Sequence, residues 1–276
     1  MIAAFLLALR EGLEAALIVA VIATALRRSK NTRLLRYVWT GLGSAVLASL
    51  AVGGGLVAAG LSFEGRGEEI FEGAVMLLAA GVLTWALFWM QRYSKAHSHK
   101  LKGEAEALSL AGVGWGIFGL VFIAVFREGI ETALFLIAAS FSSSAAGVLG
   151  GGLLGIATAV MVGWLLYTGG LRLRVRVFFR AMSVVLILVA AGLFAHGIHE
   201  LQEAAVIPVI IEHVWDVNAI LNEKSVFGQL LNTLFGYNGN PSLIEVIGFF
   251  GYLLGVTFAV VRQMGKPRRA RQDAAG

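Results

Sequence analysis

The chain contains no cysteine, and Asp, Glu, Lys and Arg together make up only 14% of its 276 residues. Without cysteine there are no disulfides, no thiolate metal sites and no cysteine-ligated iron–sulfur clusters, while the cellular compartment is left open. The shortage of charge is more telling, because a soluble domain carries about 25% charged residues. The missing charge is replaced by apolar residues, 58% of the total, with a mean hydropathy of +0.81. Four stretches contain no charged residue at all: Tyr37 to Phe63, Gly73 to Gln91, Ala107 to Phe126 and Thr132 to Leu171. About 20 apolar residues suffice for a helix to cross the roughly 30 Å hydrocarbon core. The last stretch is long enough for two crossings, and Ser142-Ser143-Ser144 divides it. The apolar N-terminus, Met1 to Leu9, lacks the basic start of a cleaved leader and is expected to stay as a first span.

These patterns predict an all-α integral membrane protein with seven transmembrane helices, near residues 2–26, 37–61, 69–91, 109–140, 146–169, 177–200 and 243–262. Basic residues alternate with the connections. Arg27, Arg28, Lys30, Arg33 and Arg36 follow span 1, and Arg92, Lys95, Lys100 and Lys102 follow span 3. Arg172, Arg174, Arg176 and Arg180 follow span 5, and Arg262, Lys266, Arg268, Arg269 and Arg271 follow span 7. The opposite side has only Arg66 and Lys224. The positive-inside rule then places the N-terminus outside and the C-terminus in the cytoplasm. The pI near 9.7 is accordingly an orientation signal, not a nucleic-acid footprint. Glu64, Glu68, Glu69, Glu72, Glu200, Glu203, Glu212, Asp216, Glu223 and Glu245 make the outer side acidic, a field that concentrates cations.

An internal repeat carries the chemistry. Arg10-Glu11-Gly12-Leu13-Glu14-Ala15-Ala16-Leu17 in span 1 recurs as Arg127-Glu128-Gly129-Ile130-Glu131-Thr132-Ala133-Leu134 in span 4. A fainter echo links Leu78-Ala79-Ala80-Gly81 with Val189-Ala190-Ala191-Gly192. An offset of three spans inverts the second copy. One permease domain is therefore expected, with repeat 1 over about 1–91 and repeat 2 over about 109–200. An external segment, 201–242, the seventh span and a basic tail, 263–276, complete it. At 1.5 Å per residue both motifs lie roughly 14–21 Å below the outer surface, so the two can meet.

On a helix Glu11 and Glu14 are i,i+3 neighbours and Arg10 and Glu14 are i,i+4 neighbours, so all three share one face. Two such helices present Glu11, Glu14, Glu128 and Glu131, with Arg10 and Arg127 offsetting half the charge. Hard carboxylate oxygens suit Fe³⁺, Mn²⁺, Mg²⁺ or Ca²⁺, and the absence of sulfur ligands argues against Cu(I). The motifs could instead be structural ion pairs, Arg10 with Glu14 and Arg127 with Glu131. Each mid-bilayer charge costs about 2.5–3.5 kcal/mol, however, a heavy load for structure alone. A transporter of another divalent cation such as Mn²⁺ fits the same scaffold. A membrane di-iron carboxylate enzyme is more remote, since those sites add Glu-x-x-His motifs and here both are Glu-x-x-Glu.

At Arg10–Glu14 and Arg127–Glu131 the sequence resembles the oxidase-linked iron permeases, the family of bacterial EfeU and the fungal ferric permeases. The likeness covers nearly the whole chain, including Glu69-Ile70-Phe71-Glu72-Gly73 and the Phe227–Tyr237 stretch. It implies iron uptake, as Fe²⁺ or Fe³⁺, across a bacterial cytoplasmic membrane, with the four glutamates as iron ligands. It also implies an extracytoplasmic partner that oxidises or delivers iron. No permanent cofactor is expected, membrane lipid surrounds the chain, and an oligomer remains open.

Two outer groups are candidates for the place where a cation first docks. One is His199, Glu200 and Glu203 in the run that starts at His196, with His199 and Glu203 at i,i+4; the other is Glu69 and Glu72. Ordinary helix-end roles compete with both. Glu212, His213 and Asp216 read as solvated, and Ser242-x-x-Glu245 as a capping box opening span 7. His97 and His99, among lysines, read as loop residues.

Overall fold

The computed structural model describes the backbone of residues 1–110, 112–141, 144–168, 175–218, 220–222, 225, 228, 231–232 and 236–264. Side chains are described for these except 28, 89–102, 106, 109–110, 166, 175–181 and 263–264. Ser142, Ser143, Glu223, Lys224, Phe227, the side chains of His97 and His99, and most of the basic side chains after spans 3, 5 and 7 lie outside the described residues.

Seven α-helices and one 3-10 turn are delimited among the described residues, and Gly228, Leu231 and Asn232 are helical besides. The seven are α1 (Ile2–Arg28), α2 (Leu35–Gly60), α3 (Arg66–Leu110), α4 (Gly114–Phe141), α5 (Ala145–Tyr167), α6 (Val175–Glu203) and α7 (Leu243–Met264). Helices are the natural outcome for apolar runs in lipid, where every backbone N–H and C=O must be satisfied within its own segment. Five are long and apolar enough to cross a membrane: Thr32–Gly60, Arg66–Phe88, Ala145–Leu165, Met182–Glu203 and Leu243–Arg262. The other two, α1 and α4, are of similar length, 27 and 28 residues, but carry the charged motifs at mid-length. The protein is an all-helical integral membrane protein. Its outward faces agree: Leu47 is 70% exposed, Leu153 68% and Phe258 66%, a pattern suited to lipid and not to water.

One expectation is corrected. The stretch after span 3, read as a loop holding His97 and His99, is helical, because α3 continues unbroken to Leu110. Lys, Glu and Ala in 95–107 are good helix formers and no proline intervenes. The extension is anchored where Ala105 and Leu108 pack with Leu26, Leu34, Val38 and Ile117.

Packing follows the small residues. In lipid, helices associate by close backbone approach rather than by hiding apolar surface. Helix α1 lies along α5, where a Cβ at Gly155 would sit 2.5 Å from Phe5 O. Helix α2 lies along α4, where a Cβ at Gly41 would sit 2.9 Å from Phe118 O. Gly73 and Gly197 bring α3 and α6 together, and α7 packs on α6 with Phe194 and Tyr252 stacked 5.0 Å apart.

Helices α1 and α4 cross antiparallel. Ala3 and Leu7 near the start of α1 share a core with Leu134, Phe135 and Ala138 near the end of α4, joined by Met76 to Leu87 of α3 and Leu186 to Leu193 of α6. Ile22, Ala25 and Leu26 near the end of α1 share another with Ile117, Val121 and Val125 of α4. Both charged motifs fall in the gap between these two apolar cores. Between α6 and α7 most of the described residues lie outside helices, the 211–217 stretch being hydrogen-bonded back to 239–243 through Leu243 N to Ile211 O, 3.1 Å, and Val217 N to Gly239 O, 2.9 Å.

Candidate metal centre

Where α1 and α4 cross, the repeated motifs face one another. Each places an arginine and a glutamate on adjacent turns, and the expected i,i+4 pairs are both present. Arg10 Nη2 lies 2.9 Å from Glu14 Oε1, and Arg127 Nε donates to Glu131 Oε1 at 2.9 Å. Arg10 also contacts Glu11, while Arg127 Nε stands 3.9 Å from Glu128 Oε1.

The two motif glycines seat α1 and α4 against their outer neighbours. A Cβ on Gly12 would come within 2.7 Å of Ala159 Cβ on α5, and one on Gly129 would collide with the Ser49 hydroxyl on α2. In each copy the glycine between the charged residues thus seats the helix against its neighbour. Glu11, Glu128 and Glu131 converge between the two helices. Ser49 meets its own polar need locally by donating to Ala45 O at 2.8 Å.

The carboxylates come together unequally. One ligand oxygen each from Glu11, Glu128 and Glu131 can be chosen so that all three lie within 4.8 Å of one another. Among the described residues no other group of three His, Asp or Glu side chains does this. Oxygen atoms on opposite sides of a cation at about 2.0–2.6 Å lie about 4–5 Å apart, so this spacing suits one ion. Glu11 Oε2, Glu128 Oε2 and Glu131 Oε2 are buried and accept no hydrogen bond. Three carboxylates this close repel by about 3–4 kcal/mol per pair at an effective dielectric of 20. A multivalent cation would remove that cost and supply the missing partner of each oxygen. Glu14, the fourth expected ligand, stays outside this trio, held by Arg10.

Sequence reasoning did not find Trp85. Its ring lies under the Arg127 guanidinium, 4.8 Å from centroid to Cζ, and so fixes the arginine that faces Glu128 and Glu131. A tryptophan inside an apolar run gives no signal of such a partner.

The outer groups behave differently. His199 Nε2 lies 3.2 Å from Glu203 Oε1, as the i,i+4 spacing predicts, but its Nδ1 also lies 3.0 Å from Glu245 Oε1. Glu245 closes the capping box: Ser242 N donates to Glu245 Oε1 at 3.0 Å and Glu245 N to Ser242 Oγ at 3.3 Å. Asn238 Nδ2 holds its other oxygen at 2.8 Å. Glu245 therefore caps α7 and ties it to α6 together. Glu69, Glu72 and Glu200 gather where α3 meets α6, partly buried, while Glu203 is exposed. Glu212, His213 and Asp216 are exposed, as a solvated segment requires.

The profile of the Iron permease FTR1 family matches residues 1–265. The chain belongs to this iron permease family. Among curated relatives, the Ferrous iron permease EfeU of Escherichia coli is 39% identical over 259 residues, covering 93% of this chain and 94% of the relative. The protein of the same name from Shigella sonnei is 38% identical over 265 residues, covering 95% and 96%. That from Yersinia pestis is 36% identical over 252 residues, covering 91% and 89%. No solved structure matches. As a member of the iron permease family the chain is a multi-pass membrane transporter, not an enzyme, which sets aside the di-iron alternative.

Proposed function

We propose that this permease carries iron inward through the site at which Glu11, Glu128 and Glu131 converge. The observation that carries the proposal is the meeting of three buried carboxylates, each with an oxygen lacking a donor, at the crossing of the two repeated motifs. The names of the bacterial relatives specify ferrous iron, and Fe²⁺ is accordingly the proposed form at the site. Glu14 completes the ligand set when Arg10 releases it, so four carboxylates and two arginines handle the ion between them.

The scaffold for this transport is seven spans, α1 to α7, in a 3+3 inverted repeat plus one. Its support is the packing: exchanging α1, α2 and α3 with α4, α5 and α6 turns the α1–α5 contact into the α4–α2 contact, and both exist. The N-terminus lies outside, by the distribution of Lys and Arg, and the membrane is a bacterial inner membrane. Iron is gathered at the acidic outer face around Glu69, Glu72, Glu200, Glu203 and His199, supplied there by an extracytoplasmic partner. Mn²⁺ as the natural cargo is the competing possibility on the same scaffold.

The deciding experiment is radioactive iron uptake in cells lacking other importers, with Fe²⁺ and Fe³⁺ offered separately and Mn²⁺ as competitor. Wild type should import Fe²⁺, and Glu11→Gln, Glu128→Gln and Glu131→Gln should not, at equal membrane expression. Normal uptake by these three variants would remove the carboxylate site from the path.

A further inference from the structure

A cleft of about 700 Å³ separates α2 from α5, floored by α1 and α4. Glu11 and Glu128 line its inner part, and Arg27, Trp39, Trp164 and Tyr167 its mouth at the end on the basic side. The rest of its lining is apolar apart from Ser49 and Thr132. Both hydroxyls donate to their own helices, Ser49 to Ala45 O at 2.8 Å and Thr132 to Glu128 O at 2.7 Å. Such a passage suits neither water nor a hydrated cation, because a water site needs 2–4 polar partners and apolar cavities stay dry. The exposed Arg27 at its mouth would also repel a departing cation.

The same features suit a lipid. From Gly12 to Arg27 is fifteen residues of helix, about 22 Å. One leaflet, tails and headgroup region together, is about 20–22 Å deep. Trp39 and Trp164 flank the mouth, 57% and 63% exposed, as interfacial tryptophans are. The Arg27 guanidinium sits 4.6 Å over the Tyr167 ring, leaving its outer edge available to an anion. Lys30, Arg33 and Arg36 follow closely in the chain.

We propose that this cleft binds an anionic phospholipid from the leaflet on the basic side of the membrane, its phosphate on Arg27 and an acyl chain lying along α1 towards Gly12. The chain end forms a dry, low-dielectric wall beside Glu11 and Glu128, so the ion leaves by another route. Nothing in this depends on which cation the carboxylates carry.

The full-length protein, purified and placed in nanodiscs of phosphatidylglycerol or phosphatidylcholine, provides the test. Because the chain has no cysteine, single thiols are clean probes. Ala20→Cys, inside the cleft, should react with a charged water-soluble thiosulfonate about 100-fold more slowly than Ser62→Cys at an exposed turn, since a thiol in apolar surroundings forms little thiolate. Native mass spectrometry should show one retained phosphatidylglycerol in wild type and in Arg27→Lys, and loss of the preference over phosphatidylcholine in Arg27→Gln. Equal reactivity of the two cysteines would overturn the proposal and make the cleft an aqueous exit. A protected cysteine in a lipid-free dimer would overturn it in favour of a second copy of the chain.

Discussion

The two copies of Arg-Glu-Gly-x-Glu have the same spacing and both form their i,i+4 ion pair, yet their surroundings differ. The Arg10 side chain is 2% exposed and grips both glutamates of its own helix; that of Arg127 is 29% exposed and rests on Trp85. On α4 both glutamates join the cluster, whereas on α1 only Glu11 does. The same motif has thus produced a locked half and a looser half. The helix packing explains how: α1 and α4 meet at their motifs, but α3 lies beside both, without an equal from α6, so Trp85 serves one copy only. A carrier that binds and releases an ion needs some bistable part, and the looser half is where it would be found.

Four tests break or sharpen that comparison. The largest effect is expected in uptake. Glu11→Gln, Glu128→Gln and Glu131→Gln should reduce iron transport to background, while Glu14→Gln, outside the trio, should weaken iron binding by about 10- to 100-fold, as loss of a supporting group does. If Glu14→Gln proved as damaging as Glu131→Gln, the unequal roles of the two helices would have to be abandoned.

Removing an arginine should rank next. Arg10→Ala leaves two glutamates uncompensated in a sealed site, a loss of about 3–5 kcal/mol for a buried pair broken on one side. Arg127→Ala should cost clearly less, because its side chain is partly exposed. Thermal unfolding of the purified proteins in detergent measures both, and adding Fe²⁺ should recover part of each loss by binding the folded state. Equal losses would mean the difference in burial has no energetic weight.

The glycines come third. Gly12→Ala and Gly129→Ala should each destabilise by about 1–3 kcal/mol through overpacking. Pairing them with Ala159→Gly and Ser49→Gly respectively should restore packing if the named contacts, which include the Ser49 Cβ at 2.7 Å, are the cause. The smallest effect is Trp85→Leu, which removes a cation–π contact of about 0.5–1 kcal/mol. It should alter uptake kinetics through Arg127 and leave the thermal stability of Arg127→Ala unchanged in the double variant.

Much of this was legible in the chain, and the reasons are specific. Charge-free runs of membrane length had to become helices, because lipid offers no other partner to the backbone. The repeated motif named the buried charges, because nothing else in the sequence places Arg and Glu inside apolar runs. The i,i+4 pairs at Arg10–Glu14, Arg127–Glu131 and His199–Glu203 and the Ser242–Glu245 cap follow from helix geometry alone. The helical stretch from 92 to 110 was missed because its charges read as a connection, although its residues favour helix. Trp85 beneath Arg127 and Glu245 against His199 were invisible because each joins helices far apart in sequence.

The sequence by itself therefore determined that the protein is helical, membrane-embedded and charged at two matching points, since each of these depends on periodicity and composition within one segment. Only the tertiary structure decided which carboxylates share a site, which arginine is sealed and which rests on an aromatic ring, and where an apolar cleft reaches the charges. Those outcomes depend on how closely Gly12 and Gly129 let neighbouring helices approach, a distance that no single segment contains.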